Sequence, residues 1–489
     1  MRLFLFACLI LLTACSAPAQ PETEEKFTLY DDYPGYRDDR IQQRRFKHAD
    51  IIAALQELPP AFRQKQLGVS IEGRSIHLVS IGWGDTDVLL WSQMHGDEPT
   101  ATMAILDLFR FFAAADQYDG LRQKILDSCT LHFIPMLNPD GAERFQRRNA
   151  LGVDLNRDAL RLQTPEARIL KRVRDSLDAA WGFNLHDQSR YYSAGAGEPY
   201  TASISFLAPA YNEAKDVNDQ REDAMQLIGY MNRLLQQYIP NKVGKYDDTF
   251  EPRAFGDNIQ KWGTRTILIE TGGLKGDPEK QELRRLNFTI LLRAFAGIAD
   301  GTYEAVPRAE YEQLPFNRYN AFDDLIVRAA EYTLEGESYI VDIALRRDEI
   351  EYNNNSTYYP RGRITDLGDL STSQAYREID AQGLRVVPGK VWPETLAGPQ
   401  AISSLDVWDM LQQGYLYVQL TTGVPNDSRW HNLPLQLLPA GSFRPRPVKL
   451  GQNPAFLLVE GSNPRFAVVN AQVFDLRNGK DAFEELLPK

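Results

Sequence analysis

The feature that most limits the fold is an alternation running from about Tyr30 to about Tyr303. Short apolar runs (DVLLWSQM, TLHFIPML, WGFNLHDQ, TRTILIETGG) are separated by longer stretches with apolar residues at helical spacing, such as EPTATMAILDLFRFFAAA, DAMQLIGYMNRLLQQYI and QELRRLNFTILLRAFAGIA. A run of about four to eight apolar residues suits a strand buried on both faces. An apolar stripe at three-to-four-residue spacing suits a helix that covers a sheet. Strands alternating with helices predict an α/β fold: a mixed, mainly parallel sheet flanked by helices. IEGRSIHLVSIGWG reads as a hairpin turning at Glu72-Gly73, and Pro165 marks a helix start in TPEARILKRVRDSL. Polar clusters follow the strands directly, where open α/β sheets place their sites.

After about Ala305 the pattern changes. EYTLEGESYIVDIAL, TYYPRGRITDLG, GLRVVPGKV, GYLYVQLTTG, PAFLLVEG and PRFAVVNAQVFDL are short β-type runs between Gly, Pro and Asn turns, with one helical insertion in SSLDVWDMLQQG. They predict a separate β-rich C-terminal domain. The expected division is a signal peptide over residues 1–14, a flexible tether over 15–29, the α/β domain over 30–305 and the β-rich domain, without an assigned role, over 306–489.

The N-terminus reads as an address. Arg2 precedes the apolar run Leu3–Leu12, which has the length of a signal-peptide core and is short for a bilayer span. Leu12-Thr13-Ala14-Cys15 resembles a bacterial lipobox. That resemblance implies lipidation of Cys15 and an exported lipoprotein anchored in a membrane on the periplasmic side, and Ser16 favours the outer membrane. The competing reading is an ordinary cleaved signal with an incidental Cys. Of the three Cys, only Cys129 then stays a free thiol, so no intramolecular disulfide is expected. Its apolar surroundings mark it as packing. Lys+Arg number 54 against 66 Asp+Glu, a net charge of −12 that argues against nucleic acid as partner.

Chemistry concentrates in Ser92-Gln93-Met94-His95-Gly96-Asp97-Glu98. His95 and Glu98 stand three apart in a turn between a buried strand and a helix, which can aim an imidazole and a carboxylate at one point. The third candidate ligand is His186, at the end of WGFNLHDQ. Two His and one Glu with a fourth position open form a catalytic zinc ligand set, and these donors suit Zn2+ better than copper(I). His48, His77, His132 and His431 lack ligand spacing and read as packing or surface.

Three further motifs follow in order: Asn138-Pro139-Asp140-Gly141, the run RRNALGVDLNRD from Arg147 to Asp158, and a strand ending ILIETGG with Glu270. HGDE, NPDG, RxNAxGxDLNR, a strand-end LH and a strand-end IETGG together resemble the zinc carboxypeptidase family, whose best-known member is pancreatic carboxypeptidase A. The resemblance covers roughly Tyr30–Ala305. It implies one Zn2+ per chain on His95, Glu98 and His186, and Glu270 as the general base that takes a proton from water and passes it to the leaving amine. It implies that Arg147, rather than the adjacent Arg148, stabilises the developing oxyanion. Asn156 and Arg157 would grip the terminal carboxylate of the substrate, the bidentate clamp that defines an exopeptidase.

The sequence departs from that pattern in places. Asp158 follows the Asn-Arg pair, where it is expected to brace an arginine. Tyr246 is the nearest counterpart of a flexible-loop tyrosine. TFEPRAFGDNIQKWG replaces the stretch that lines the side-chain pocket. There Arg253 would select an acidic side chain or a second carboxylate and Asp257 a basic one, or either forms a structural ion pair. Asp187 is read as orienting an imidazole or as a helix-side or solvent-facing group. Glu72-Gly73-Arg74 is expected only to shape the hairpin.

The leading expectation is a zinc metallocarboxypeptidase acting on exported or cell-wall-derived peptides with a free C-terminal carboxylate. The alternatives are a zinc deacylase of N-acyl amino acids and a catalytically inactive binding lipoprotein.

Overall fold

A computed structural model describes residues 28–195, 200–444 and 448–478. The signal segment, Cys15 and nearly all of the tether lie outside these residues. The alternating region forms strands β1 (Arg63–Val69), β2 (Ser75–Gly82), β3 (Thr86–Ser92), β4 (Cys129–Ile134), β5 (Trp181–Asp187), β6 (Ser193–Ala194), β7 (Ile204–Leu207), β8 (Val243–Lys245) and β9 (Arg265–Thr271). Its helices are α1 (Leu29–Asp32), α2 (His48–Gln56), α3 (Thr100–Ala113), α4 (Asp119–Ser128), α5 (Pro139–Glu143), α6 (Pro165–Leu177), α7 (Asp219–Tyr238), α8 (Phe255–Lys261), α9 (Gln281–Asp300) and α10 (Arg308–Glu312). One eight-stranded sheet runs in the order β1-β2-β4-β3-β5-β9-β7-β8. The β4-β3-β5-β9 centre is parallel, β1-β2, β2-β4 and β9-β7 are antiparallel, and β7-β8 is parallel. This is the expected mixed sheet.

The central strands read as unbroken apolar runs because both faces are covered. Val88 and Leu90 of β3 join a core with α3, α4, α7 and α9. Leu89 and Trp91, one residue out of phase, join a second core with α6 and α8. Helix starts follow local chemistry: Thr164 accepts the Ala167 backbone N–H at 3.2 Å ahead of Pro165, and Asn218 accepts that of Arg221 at 3.0 Å. Cys129 is buried at the start of β4, and burial pushes its thiol up to about 11.

Past α10 the chain is β-rich, as its turn-punctuated sequence predicts. β10 (Asn317–Arg318) pairs antiparallel with β6, stitching the C-terminal part to the first sheet's loops. β11 (Phe322–Leu334) and β12 (Glu337–Tyr352) form a long hairpin, flanked by β13 (Thr357–Gly368) and, beside β11, β14 (Gln374–Asp380) and β15 (Arg385–Pro388). The sheet continues through strands at Ala455–Glu460, Asn463–Val469 and Gln472–Asp475, and a small parallel sheet joins Lys390–Leu396, Tyr415–Leu420 and Gln436–Pro439. The inserted helix is Val407–Gln412.

The two parts meet through polar contacts. Arg45 pairs with Glu349 at 2.8 Å and Glu351 at 3.2 Å, Tyr358 donates to Glu279 at 2.7 Å, Tyr191 donates to Asp324 at 2.8 Å, and Asn317 donates to Gln188 at 2.8 Å. β12 is thereby held against the loops at the carboxyl ends of β5 and β9.

A buried ion pair fastens the N-terminal segment to the core. Arg284 of α9 and Asp107 of α3 both have fully buried side chains, with Arg284 Nε donating to Asp107 at 2.6 Å. Asp107 also accepts from Tyr33 at 2.8 Å and from the Asp38 backbone N–H at 2.7 Å, and Arg284 donates to the Ile41 and Asp38 carbonyls at 2.5 and 3.0 Å. Removing one partner strands a charge in the interior, at a cost of about 3–5 kcal/mol. Asp107→Ala is expected to lose that much stability in urea unfolding; a loss below about 1 kcal/mol would show that Arg284 finds other partners.

Candidate active site

The site sits at the carboxyl ends of β3, β5 and β9. The turn after β3 carries Gln93 at φ 46° and then His95 and Glu98. Gly96 fits because its backbone lies against Gly141: a Cβ added at Gly96 would stand 2.0 Å from the Gly141 carbonyl carbon. The HGDE and NPDG motifs are thus packed against each other. Asn138 accepts from the Gly141 N–H at 2.9 Å and donates to the Met94 carbonyl at 3.2 Å. Buried Asp140 accepts from Ser70 Oγ at 2.7 Å, the Glu72 backbone N–H at 3.0 Å and Arg74 at 2.7 Å, which gives Glu72-Gly73-Arg74 its hairpin-shaping role.

His95, Glu98 and His186 converge, all three buried. His95 Nδ1 lies 2.8 Å from Glu98 Oε1 and 3.1 Å from His186 Nδ1, and His186 Nδ1 lies 2.6 Å from Glu98 Oε2. Arg147 Nη1 is a third neighbour of His95 Nδ1, at 3.1 Å. One ring nitrogen cannot satisfy three such neighbours with a single proton or lone pair; a divalent cation among two imidazoles and a carboxylate can. Ligand atoms about 2.0–2.1 Å from a tetrahedral zinc stand roughly 3.3 Å apart; the donors here are of the kind zinc takes and would spread by a few tenths of an ångström around the ion. Burial works against protonation of His95, but the Glu98 and Asp154 carboxylates outweigh it and push the imidazole up to about 9. Burial holds His186 below its ordinary value. Burial works against the Glu98 anion, and the two imidazoles more than offset it, holding its carboxyl well below the usual range.

Asp154 is the residue that reading the motif for chemistry missed. It is buried and accepts from His95 Nε2 at 3.1 Å, which leaves Nδ1 free as a ligand atom. It also holds Arg147 through Nε at 3.1 Å and Nη2 at 3.0 Å, and caps the short 3-10 turn Leu155–Arg157 through the Asn156 N–H at 3.0 Å. The signal was present in GVDLNR: a carboxylate just ahead of the Asn-Arg pair.

A cleft of about 1010 Å³ is lined by His95, Glu98, Arg147, Asn156, Arg157, His186, Tyr246, Asp257 and Glu270. Glu270 is paired in register with His186 on the adjacent parallel strand. Burial and the negative charge of Glu98 raise its carboxyl well above the usual range, a push that a bound cation would offset. Arg147, rather than Arg148, enters the site; Arg148 donates to the Gly152 carbonyl at 3.1 Å. Asn156 accepts from the Phe255 N–H at 2.8 Å, and Arg157 lies loosely against Glu251 at 3.4 Å. Tyr246 is half-buried beside Tyr192, their hydroxyls 3.4 Å apart.

Arg253 and Asp187 take the structural alternatives that the sequence left open, an ion pair and a helix-side contact, and Asp158 departs from its reading. Arg253 is tied to Glu251 at 2.8 Å and is not among the residues lining the cleft, because the carboxylate two positions back captures it. Asp158 accepts from the Gln163 and Thr164 backbone N–H groups at 3.0 and 2.8 Å, bracing a loop and no arginine. Asp187 orients no imidazole: it accepts from Thr100 at 2.6 Å and Lys280 at 3.0 Å, and the orienting falls to Asp154. Asp257 does face the cleft. It is buried, accepts from the Glu251 N–H at 3.0 Å, and burial raises its carboxyl to about 6. Of the other histidines, His132 lies 2.8 Å from Ser80 and from Asp87, and His431 stacks on Tyr359.

An α/β sheet with a His-Glu-His cluster and a facing carboxylate at its strand ends defines a metallohydrolase-type centre. Residues 49–161 match the sequence profile of the zinc carboxypeptidase family. Carboxypeptidase SOL1 of Arabidopsis thaliana is 38% identical over 146 residues, covering 25% of this chain and 29% of the relative. Carboxypeptidase 2 of Trichophyton tonsurans is 28% identical over 132 residues, covering 26% of this chain and 23% of the relative. The chain therefore spans less than a third of the length of these curated relatives. A crystal structure of a metallo-carboxypeptidase from Burkholderia cenocepacia aligns with a TM-score of 0.42 and 20% identity, over 52% of this chain and 69% of that one.

Asp154→Asn keeps the size of the side chain and removes the charge that fixes His95. Zinc affinity, measured by competition with a chelating dye, is expected to fall about 10–100-fold; unchanged affinity would show that His95 is held by its packing alone.

Proposed function

We propose that the protein is a zinc-dependent metallocarboxypeptidase that hydrolyses the C-terminal peptide bond of peptides. The observation that carries this is the convergence in one cleft of a three-ligand metal cluster, an unpaired carboxylate at Glu270, and the Arg147 and Asn156-Arg157 groups. One zinc ion per chain on His95, Glu98 and His186 supplies Lewis acidity toward water and the substrate carbonyl.

The chain's own groups do the rest. Asn156 and Arg157 bind the terminal carboxylate, which displaces the loose contact of Arg157 with Glu251. Arg147, aimed by Asp154, stabilises negative charge as it develops on the carbonyl oxygen. Glu270 accepts a proton from the attacking water and returns it to the leaving amine. Tyr246 lines the same space. The lipobox-like N-terminal segment supports an exported location: anchorage through Cys15, on the periplasmic side of the outer membrane, would keep the enzyme near exported or cell-wall-derived peptides.

The residue released is expected to be basic. Asp257 and Asn184 line the cleft together with Leu207, Pro209 and Leu268, and among the described residues Asn184 Oδ1 is buried without a donor. An apolar stem with a cationic end complements this set.

Glu270→Gln is expected to lower turnover of a C-terminal lysine peptide at least about 1000-fold with zinc content unchanged. An amidated peptide should resist the wild type. Retained turnover in the variant, or equal cleavage of acid and amide, would reject the reading.

A second test uses pH. Asp257 ionises near 6, so its attraction for a cationic side chain is weak below that value and full above it. The ratio of kcat/KM for terminal Lys over terminal Leu should rise from about pH 5 to about pH 7, and stay flat in Asp257→Asn. A flat wild-type ratio would remove Asp257 from selection.

A further inference from the structure

The β-rich domain reaches the catalytic cleft. Arg347 and Glu349 of β12 line the same cavity as Glu270 and His186, and Arg190 and Arg347 also line an adjoining cavity of about 360 Å³. Most charges on this wall are already paired. Asp324 is held by Arg190, by Tyr191 Oη at 2.8 Å and by the Arg347 backbone N–H at 2.7 Å. Asp348 pairs with Arg363 at 2.8 Å, and Glu349 with Arg44 and Arg45.

The Arg347 guanidinium differs. Its acceptors are neutral amides: Asn432 at 2.9 Å and, with its amide turned oxygen-inward, Gln472 at 2.7 and 3.2 Å. Its Nε is buried without a partner, and among the described residues no carboxylate lies within ion-pair distance of it. The guanidinium is half-buried, its Nε has no acceptor, and the nearby carboxylate that attracts it, Asp324, is engaged by Arg190 and Tyr191, so this wall can take a further anion.

A peptide whose terminal carboxylate is held at Asn156-Arg157 and whose scissile carbonyl lies at Arg147 must run its upstream residues along the remaining wall. We propose that Arg347, flanked by Arg190 and Tyr191, forms a subsite for a carboxylate carried by the substrate upstream of the scissile bond, so that the C-terminal domain selects acidic peptides. This rests on the carboxypeptidase reading above.

The test pairs peptides with one terminal residue but Glu or Gln at the second and third positions before the scissile bond. Wild type should use the Glu peptide about tenfold better, mainly through KM, and Arg347→Gln should bring the ratio to about one while still cleaving the Gln peptide. Equal use by wild type, or an unchanged ratio in a natively melting Arg347→Gln, overturns the proposal. If that variant does not fold, salt decides: the wild-type ratio should shrink between about 0.05 and 0.5 M NaCl, and a constant ratio overturns it. If wild type cleaves neither peptide, the carboxypeptidase reading fails separately. Fluorescence anisotropy of the labelled peptides with Glu270→Gln then judges the subsite, equal Kd values overturning it.

Discussion

The whole candidate site depends on the register of β5 between β3 and β9. Leu185 is paired with Ser92 of β3, and His186 with Glu270 of β9. Side chains alternate faces along a strand, so a slip of one residue would turn His186 from the cleft into a helix-covered core and put Leu185 or Asp187 in its place. The register is held by burial. Phe183 and Leu185 belong to one core and Trp91 to the opposite one, and a slip would exchange apolar for polar side chains on both faces. The energy that fixes the metal ligands is thus the hydrophobic energy of the whole sheet.

Around that frame the motifs divide the labour by distance from the reacting atoms. Gly96 and Gly141 permit close backbone approach, Asn138 and Asp140 hold the turns, and Asn149 accepts from the Leu151 and Val153 N–H groups to shape the loop that presents Arg147. Asp154 connects three functions. It fixes the tautomer of His95, the aim of Arg147 and the turn bearing Asn156-Arg157. A single carboxylate that holds His95, Arg147 and the turn bearing Asn156-Arg157 ties their geometries together, so that none can be displaced without strain on the others.

The central strands and long helices were legible because two-sided burial and one-sided burial leave distinct periods in the sequence. β1 was not: RQKQLGV is an edge strand whose first four residues are exposed, so it carries no apolar alternation. β7 and β8, at four and three residues, are too short to show a period, and seven-residue α8 is shorter than two helical turns. Among site residues, the ligands and Glu270 stood at the ends of recognisable strands. At Arg253 selection of a substrate group and a structural ion pair both stayed open, because composition shows a cation near the pocket but not that Glu251, two residues away, already holds it. Asp154 and Asp187 look alike in sequence, each a carboxylate beside functional residues. Only the fold decides which one meets an imidazole and which one meets Thr100 and Lys280.

The β-rich domain raises the same point at larger scale. Its strands were readable, but its relation to the cleft depends on contacts between residues more than a hundred positions apart, such as Tyr191 with Asp324 and Arg45 with Glu349. Such pairs leave no local pattern. They are charged or aromatic groups meeting across a seam, and each is modest in energy if exposed. Acting together with the β6-β10 pairing they hold one face of β12 beside the strand ends. A cleft with one wall from the first sheet and another from a separate β unit can vary what it admits without disturbing the register of β5, because β12 is not paired with the strands that carry His186 and Glu270.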